Sequence, residues 1–348
     1  MRILVDATVL ASRAAGLSSY VNGLVPALAA VPGVRVTAVA PCSIDGVATV
    51  AAPASVARLP ARAAWRERNL RRIAADAGAD VLLAPSPELP LRGAGVPSIM
   101  VVHDVFPLSS PALVGRAKRL RFAAMLPAMC ARADAVVCVS RATALALHRT
   151  VGVAGAEVIG EGPSPLPAGA EPASGPRPYV LAVGEPYRRK NLDVLLRALP
   201  LLEGVDLVLA GPPSPPLLAA ARALGVEDRV RHEGWVAPER LSALFRGAAA
   251  LVLPSLDEGF GRALLDAMAL GTPAIGSDIP ALRELGGDAP RLVPDPADPA
   301  QWAEAIATVA ADAALRRDMA ERGRARAADH TWERAAAAFA ALARGLVA

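Results

Sequence analysis

Aromatic side chains make up only 3% of the 348 residues, so any core has to be assembled from alanine, leucine and valine. Cysteine is nearly absent. Cys42, Cys130 and Cys138 are odd in number and lack a C-x-x-C spacing, which excludes a disulfide scaffold and reads as three buried free thiols in a reducing cytoplasm. The four histidines, His103, His148, His232 and His330, have no partners at ligand spacing. No H-E-x-x-H, D-x-D or G-x-S-x-G occurs, so neither a metal centre nor a hydrolase elbow is indicated. The longest uncharged stretch, Ala14–Val34, contains Asn22, Pro26, Pro32 and three glycines, a poor membrane span. Met1-Arg2 runs directly into Ile3-Leu4-Val5-Asp6, too short an apolar run for a secretion signal. The formal net charge of +4 suits an acidic ligand or an anionic membrane face and is too weak to indicate nucleic acid.

What is abundant is apolar chain, 53% of the residues, in a length that predicts about two domains. Short apolar runs alternate with Ala/Leu/Arg-rich helical segments, the signature of β-α-β units and parallel sheets. The first half predicts strands near Ile3–Asp6, Val34–Val39, Val81–Ala84, Ser98–Val102, Ala135–Val139 and Glu157–Ile159. The second half restarts at Tyr179–Val183, Asp206–Ala210, Val230–His232, Ala249–Leu253, Pro273–Ile275 and Arg291–Val293. Between them Gly162–Pro178 carries six prolines and can form neither helix nor central strand. The expected organisation is therefore residues 1–161, a linker at 162–178, and residues 179–330, each domain a doubly wound sheet, with the ligand in a cleft at the carboxyl ends of both. Ser140 and Asn191 are expected to cap helices and Pro238 to occupy a first turn.

The most informative segment is Pro254–Pro273, which reads as strand end, polar loop, glycine-flanked helix start, apolar helix and a Gly-Thr-Pro stop. From Ala263 to Leu270 only Asp266 is not apolar. A carboxylate on such a helix needs a partner, either Arg262 four residues earlier or a ligand hydroxyl. Glu258 precedes the helix, where Gly259 and Gly261 open the backbone N–H groups and the helix dipole to an anion such as diphosphate.

This segment resembles the E-x7-E signature of the family-4 retaining glycosyltransferases, with Asp266 in place of the second glutamate and Arg262 where the pattern has an apolar residue. Val183-Gly184-Glu185-Pro186-Tyr187-Arg188-Arg189-Lys190-Asn191 resembles the family's V-G-x-x-x-x-R-K-N strand end, and Leu209–Pro212, His232–Val236 and Ile279–Leu285 resemble further segments in order. Val102-His103-Asp104 resembles its H-D, and Gly16–Tyr20 more loosely its glycine loop. The resemblance implies the GT-B fold, an α/β pair of Rossmann-like domains, with residues 331–348 forming a helix that crosses back to the first. It implies metal-independent, retaining transfer from a nucleotide diphosphate-sugar to an acceptor hydroxyl, with no other cofactor. It further implies that Arg189, Lys190, Gly16, Gly211, Trp235, Val236, Gly259, Phe260 and Gly261 contact the donor, that Asp266 holds the ribose, and that Glu258, His103 and Asp104 line the sugar.

Gly259-Phe260-Gly261 with Asp278 imitates a dinucleotide fingerprint, but Leu264 occupies the third glycine's place and excludes it. Two basic segments, Arg58, Arg62, Arg66, Arg68, Arg71 and Arg72, then Arg116, Lys118, Arg119 and Arg121, read as solvated faces, with an anionic membrane or acidic acceptor as the alternative. A nucleotide-sugar-binding subunit without turnover is the competing class of function, because site chemistry rather than fold decides activity.

Overall fold

The computed structural model describes residues 1–12 and 15–348 and divides into two compact units, residues 1–164 with 330–348, and residues 165–329. In the first unit the strands are β1 (Arg2–Asp6), β2 (Arg35–Ala40), β3 (Ala48–Ala51), β4 (Val81–Ala84), β5 (Ser98–Val102), β6 (Ala135–Cys138) and β7 (Glu157–Val158). They form one parallel sheet in the order β3-β2-β1-β4-β5-β6-β7. The continuous apolar runs of β4 and β5 are buried at every position, as strands covered on both faces must be. β3 was not expected from the sequence. It is a four-residue edge strand, Ala-Thr-Val-Ala, with no fully buried residue and so no apolar run to betray it.

Helices α1 (Ala15–Ala29), α2 (Leu59–Asp76), α3 (Phe106–Ser109), α4 (Arg116–Cys130) and α5 (Arg141–Val151) connect these strands. Ser140 caps α5 as expected, accepting from the Thr143 amide at 3.0 Å. Gly16–Tyr20 is not a loop but the first turns of α1, with Tyr20 fully buried. The basic face expected on α2 is only partly solvated. Arg58, Arg68, Arg71 and Arg72 are exposed, whereas Arg62 and Arg66, four residues apart and so on one side of the helix, are buried. Cys130 and Cys138 are buried, which pushes their thiols up to about 11 and about 12. Cys42 is exposed, contrary to the sequence expectation, because it lies in the turn just beyond β2.

The second unit holds β8 (Tyr179–Val183), β9 (Asp206–Ala210), β10 (Val230–Gly234), β11 (Ala250–Leu253), β12 (Ala274–Ser277) and β13 (Arg291–Val293) in the order β10-β9-β8-β11-β12-β13, all parallel. Its helices are α6 (Asp193–Ala198), α7 (Pro215–Ala223), α8 (Pro238–Gly247), α9 (Arg262–Leu270), α10 (Pro280–Gly286), α11 (Pro299–Ala311) and α12 (Ala313–Ala327). With so few rings, the core around Trp302 is filled by Val194, Leu196, Leu207, Val252, Ile306 and similar aliphatics. Pro238 opens α8 as expected. Asn191 does not cap α6. It takes a left-handed turn, φ 51°, and its amide donates to the Pro296 carbonyl at 2.7 Å, tying the loop after β8 to the segment after β13.

The last helix, α13 (Trp332–Val347), belongs to the first unit, where it packs on α1. Among the described residues no helix is long and apolar enough to cross a membrane.

Candidate functional site

In both sheets the strand order reverses beside the first strand, between β1 and β4 in one unit and between β8 and β11 in the other. Loops leaving the carboxyl ends of such neighbours diverge to opposite faces and open a crevice, the usual ligand position in this architecture. The two crevices differ in charge.

In the second unit the loop after β8 forms a single 3-10 turn, Arg188–Lys190, and the loop after β11 leads into α9. They are stitched together by the Leu256 amide donating to the Arg189 carbonyl at 2.7 Å. Glu258 lies between them. Its Oε1 accepts from Lys190 Nζ at 2.5 Å and from Ser255 Oγ at 2.7 Å, while Oε2 accepts from Arg189 Nη1 at 2.9 Å. Burial alone would push the carboxyl up, but the adjacent Lys190 and Arg189 charges and the hydrogen bonds from Lys190 and Ser255 bring it from 4.5 down to about 2. Lys190 and Arg189 thus share one fixed carboxylate.

The neighbouring strand ends are trimmed to backbone. Gly184 donates to the Ala210 carbonyl and Gly211 to the Gly234 carbonyl, both at 2.9 Å. A Cβ on Gly211 would fall 2.2 Å from the Gly184 carbonyl oxygen, so no side chain fits there. Gly261 takes φ 98° immediately before α9, and a Cβ there would meet Leu282 at 2.5 Å. The first amides of α9 emerge beside the Glu258 loop, where the positive end of the helix dipole adds to the two side-chain cations. Phe260 is buried, Asp266 is 6% exposed on the second turn of α9, and Trp235 and Val236 follow β10, the tryptophan 61% exposed. The α9 helix is less enclosed than its sequence suggests, since Ala269 is exposed and Leu270 half-buried.

The first unit's crevice is filled by its own side chains. Arg66 pairs with Asp6, at the end of β1, and with Glu88, four residues beyond β4. Arg62 makes a two-pronged bond to Glu88 at 3.1 and 3.2 Å, and Asp6 also accepts from the Thr8 hydroxyl at 2.6 Å. Burial raises the Glu88 carboxyl, but Arg66 and Arg62 more than offset it and hold it below its ordinary range. Two arginines and two carboxylates leave no net charge, so the quartet braces the loops after β1 and β4 and offers little to an anion. The sequence does not announce it because the four residues are spread over 83 positions. The only local signal was the Arg62–Arg66 spacing.

His103 follows β5 directly and Asp104 is half-buried beside it. Gly16 is exposed on the first turn of α1, and a Cβ there would meet nothing within 4 Å, so no close approach demands the glycine. Among the described residues no group of three or more histidine, cysteine or acidic side chains is placed to hold a metal ion.

Two family models divide the chain: "Glycosyltransferase Family 4" matches residues 14–162 and "Glycosyl transferases group 1" matches residues 169–326. A D-inositol 3-phosphate glycosyltransferase of Salinispora arenicola is 34% identical over 178 residues, covering 45% of this chain and 39% of that protein. An O-antigen chain mannosyltransferase B of Escherichia coli is 34% identical over 163 residues, 44% of this chain and 42% of that one. The matched stretch thus spans about two fifths of these curated relatives. Among solved structures, a sucrose-phosphate synthase of Thermosynechococcus elongatus superposes with a TM-score of 0.78 at 22% identity, covering 99% of this chain and 98% of that one. The Anabaena protein HepE in complex with UDP and glucose gives 0.76 at 18% identity, covering 99% and 100%. These likenesses show the same fold, two parallel-sheet Rossmann-like domains of the GT-B type.

Proposed function

We propose that this chain, a member of the GT-B glycosyltransferases by family match and fold, transfers a sugar from a nucleotide diphosphate-sugar to an acceptor hydroxyl. The observation that carries the reading is the convergence of Arg189 and Lys190 on the crevice beside β8, backed by the start of α9. A diphosphate leaving group develops negative charge as the glycosidic bond breaks, and fixed cations and helix N–H groups aimed there lower the barrier without reorganising. The neutral Arg62–Arg66–Asp6–Glu88 quartet argues that the diphosphate goes to the second unit and the acceptor to the first.

In this reading Arg189, Lys190 and the Gly259–Gly261 turn hold the diphosphate with no bound metal. Gly211, Trp235 and Val236 border the nucleoside, Asp266 accepts from the ribose, and His103 and Asp104 line the sugar. Transfer retains the anomeric configuration, the acceptor hydroxyl attacking from the leaving-group face. Glu258 has a second duty beyond orienting sugar hydroxyls. In the unliganded protein it compensates the two cations, and a diphosphate takes over part of that compensation on binding. Peripheral contact with an anionic membrane falls to the start of α4, where Arg116, Lys118, Arg119 and Arg121 surround the exposed Leu120.

The test is release of nucleoside diphosphate from a panel of nucleotide-sugars by the purified chain, with and without candidate acceptors. Turnover is expected with one donor, and Lys190→Ala should lower kcat/KM by about 10²–10³. Tight donor binding with no turnover by the wild-type chain would refute the transferase reading.

A further inference from the structure

Residues 85–97 carry four prolines and two glycines, and no helix forms in them. They nevertheless take the chain from the carboxyl end of β4 back to the amino end of its parallel neighbour β5, a crossing usually made by a helix. A strap without a helix's girth leaves the sheet face beneath it partly unfilled. The space is a cavity of about 580 Å³ whose wall includes Leu82, Leu89, Ala94 and Val96, with Arg92 and Arg132 also lining it. Ser98 opens β5 and Asp134 precedes β6, so the cavity lies at the amino ends of these strands, the opposite edge of the sheet from Asp6 and Glu88.

An irregular connection of this length is usually either disordered or functional, and this one is held in place. Glu67 on α2 accepts from the Leu91 amide at 2.7 Å and from the Arg92 amide at 3.2 Å, and Arg132 donates to the Leu91 carbonyl at 2.6 Å. The carboxylates beside the cavity are thereby engaged. Glu67 holds these amides and pairs with Arg92 at 3.5 Å, and Asp134 accepts from the Ser98 amide and hydroxyl at 2.8 and 3.0 Å. The guanidinium groups keep N–H groups to offer. Arg132 uses a single one, on Leu91, and the Arg92 side chain is 86% exposed. Arg71 reaches to 3.6 Å from where a Cβ on Gly95 would stand, and its side chain has no hydrogen-bond or ion-pair partner among the described residues.

We propose that this cavity is a second ligand site, one for a small organic dianion, a sugar phosphate or a dicarboxylate, gripped by Arg71, Arg92 and Arg132. A planar guanidinium fork meets phosphate or carboxylate oxygens two at a time, which is the chemistry these three side chains have left to give. The apolar wall takes the carbon skeleton of the ligand. The volume lies inside the ordinary range of small-molecule sites, about 300–1,000 Å³, so a pentose phosphate fits and a polymer does not. The site is separate from the crevice at Lys190, which belongs to the other unit, and it does not depend on the transferase reading.

The experiment is calorimetric titration of the full chain with ribose 5-phosphate and with malate, ribose serving as the uncharged control. At least one of the two anions should bind and ribose should not, and the anion that binds tells a phosphate monoester from a dicarboxylate. Arg132→Ala and Arg71→Ala should each weaken that binding by about 10–100-fold, the scale of hydrogen bonds to a charged group. Lys190→Ala should leave it unchanged, which separates this cavity from the diphosphate crevice. Amide hydrogen exchange in residues 85–97 should slow when the anion is present. Arg71 is exposed and holds no other part of the fold, so its variant tests the site even where Arg132→Ala loosens the strap. Binding of neither anion at millimolar concentration, equal binding of ribose, binding that survives both arginine substitutions, or binding lost with Lys190 would overturn the proposal. Absent donor turnover would count against the transferase reading alone and would leave these titrations as expected.

Discussion

Replacing Glu258 with glutamine removes the carboxylate that Lys190 and Arg189 share while keeping its size, and the structure sets both the size and the pH course of the effect. At about 1.4 kcal/mol for each tenfold change in proton affinity, the fall of this carboxyl from 4.5 to about 2 corresponds to about 3 kcal/mol. Lys190 and Arg189 keep some contact with water, so the figure is an upper bound. Since the folded carboxyl titrates below the unfolded one, its contribution is complete above about pH 4.5 and disappears as pH falls through about 2. Glu258→Gln should therefore be less stable than wild type by up to about 3 kcal/mol at pH 7, and the gap should close at about pH 2. The chain has two units, so the assay must see the second alone. Met268 on α9 is 1% exposed, and the urea dependence of its oxidation by peroxide reports unfolding of that unit. A gap that stays constant with pH, or widens as pH falls, would refute the reasoning.

Three further outcomes follow from the same geometry. Gly211→Ala puts a methyl group 2.2 Å from a backbone oxygen, so it should destabilise the second unit by about 1–3 kcal/mol in the same oxidation assay; an unchanged midpoint would contradict the close packing of the β8 and β9 ends. Lys190→Ala should lower turnover by about 10²–10³ and also destabilise the second unit, because Glu258 loses the largest charge holding it ionised; unchanged stability would contradict the Glu258–Lys190 pairing. The chain should float with anionic vesicles at low salt and release as salt rises, and reversing the charge of Arg116, Lys118, Arg119 and Arg121 should abolish flotation; salt-insensitive or absent flotation would remove the membrane contact.

The sheets were legible because buried parallel strands are written as contiguous apolar runs, and β4, β5, β8 and β9 have the bounds their sequences suggest. β3 was not, since an edge strand of small, half-exposed residues carries no such run. The charged part of the second unit's site was also readable, because Arg189, Lys190 and Glu258 lie in two short local patterns at strand ends. Their direct pairing was not, because it depends on β8 and β11 being neighbours despite 66 residues between their ends. The same reason hid the Asp6–Arg66–Glu88 contacts: they join the end of β1, helix α2 and the loop after β4, and nothing in any one of them announces the others. Asn191 misled because an asparagine before a helical stretch suits a cap and a left-handed turn equally well, and only the Pro296 carbonyl decides between them.

The measurement that bears most directly on the whole account is calorimetric titration of the chain with UDP, GDP, dTDP and ADP, repeated on Lys190→Ala. One of the diphosphates should bind the wild-type protein, and the variant should lose at least about tenfold in affinity, the scale of one hydrogen bond to a charged group. Failure of every diphosphate to bind, or binding indifferent to Lys190, would contradict it.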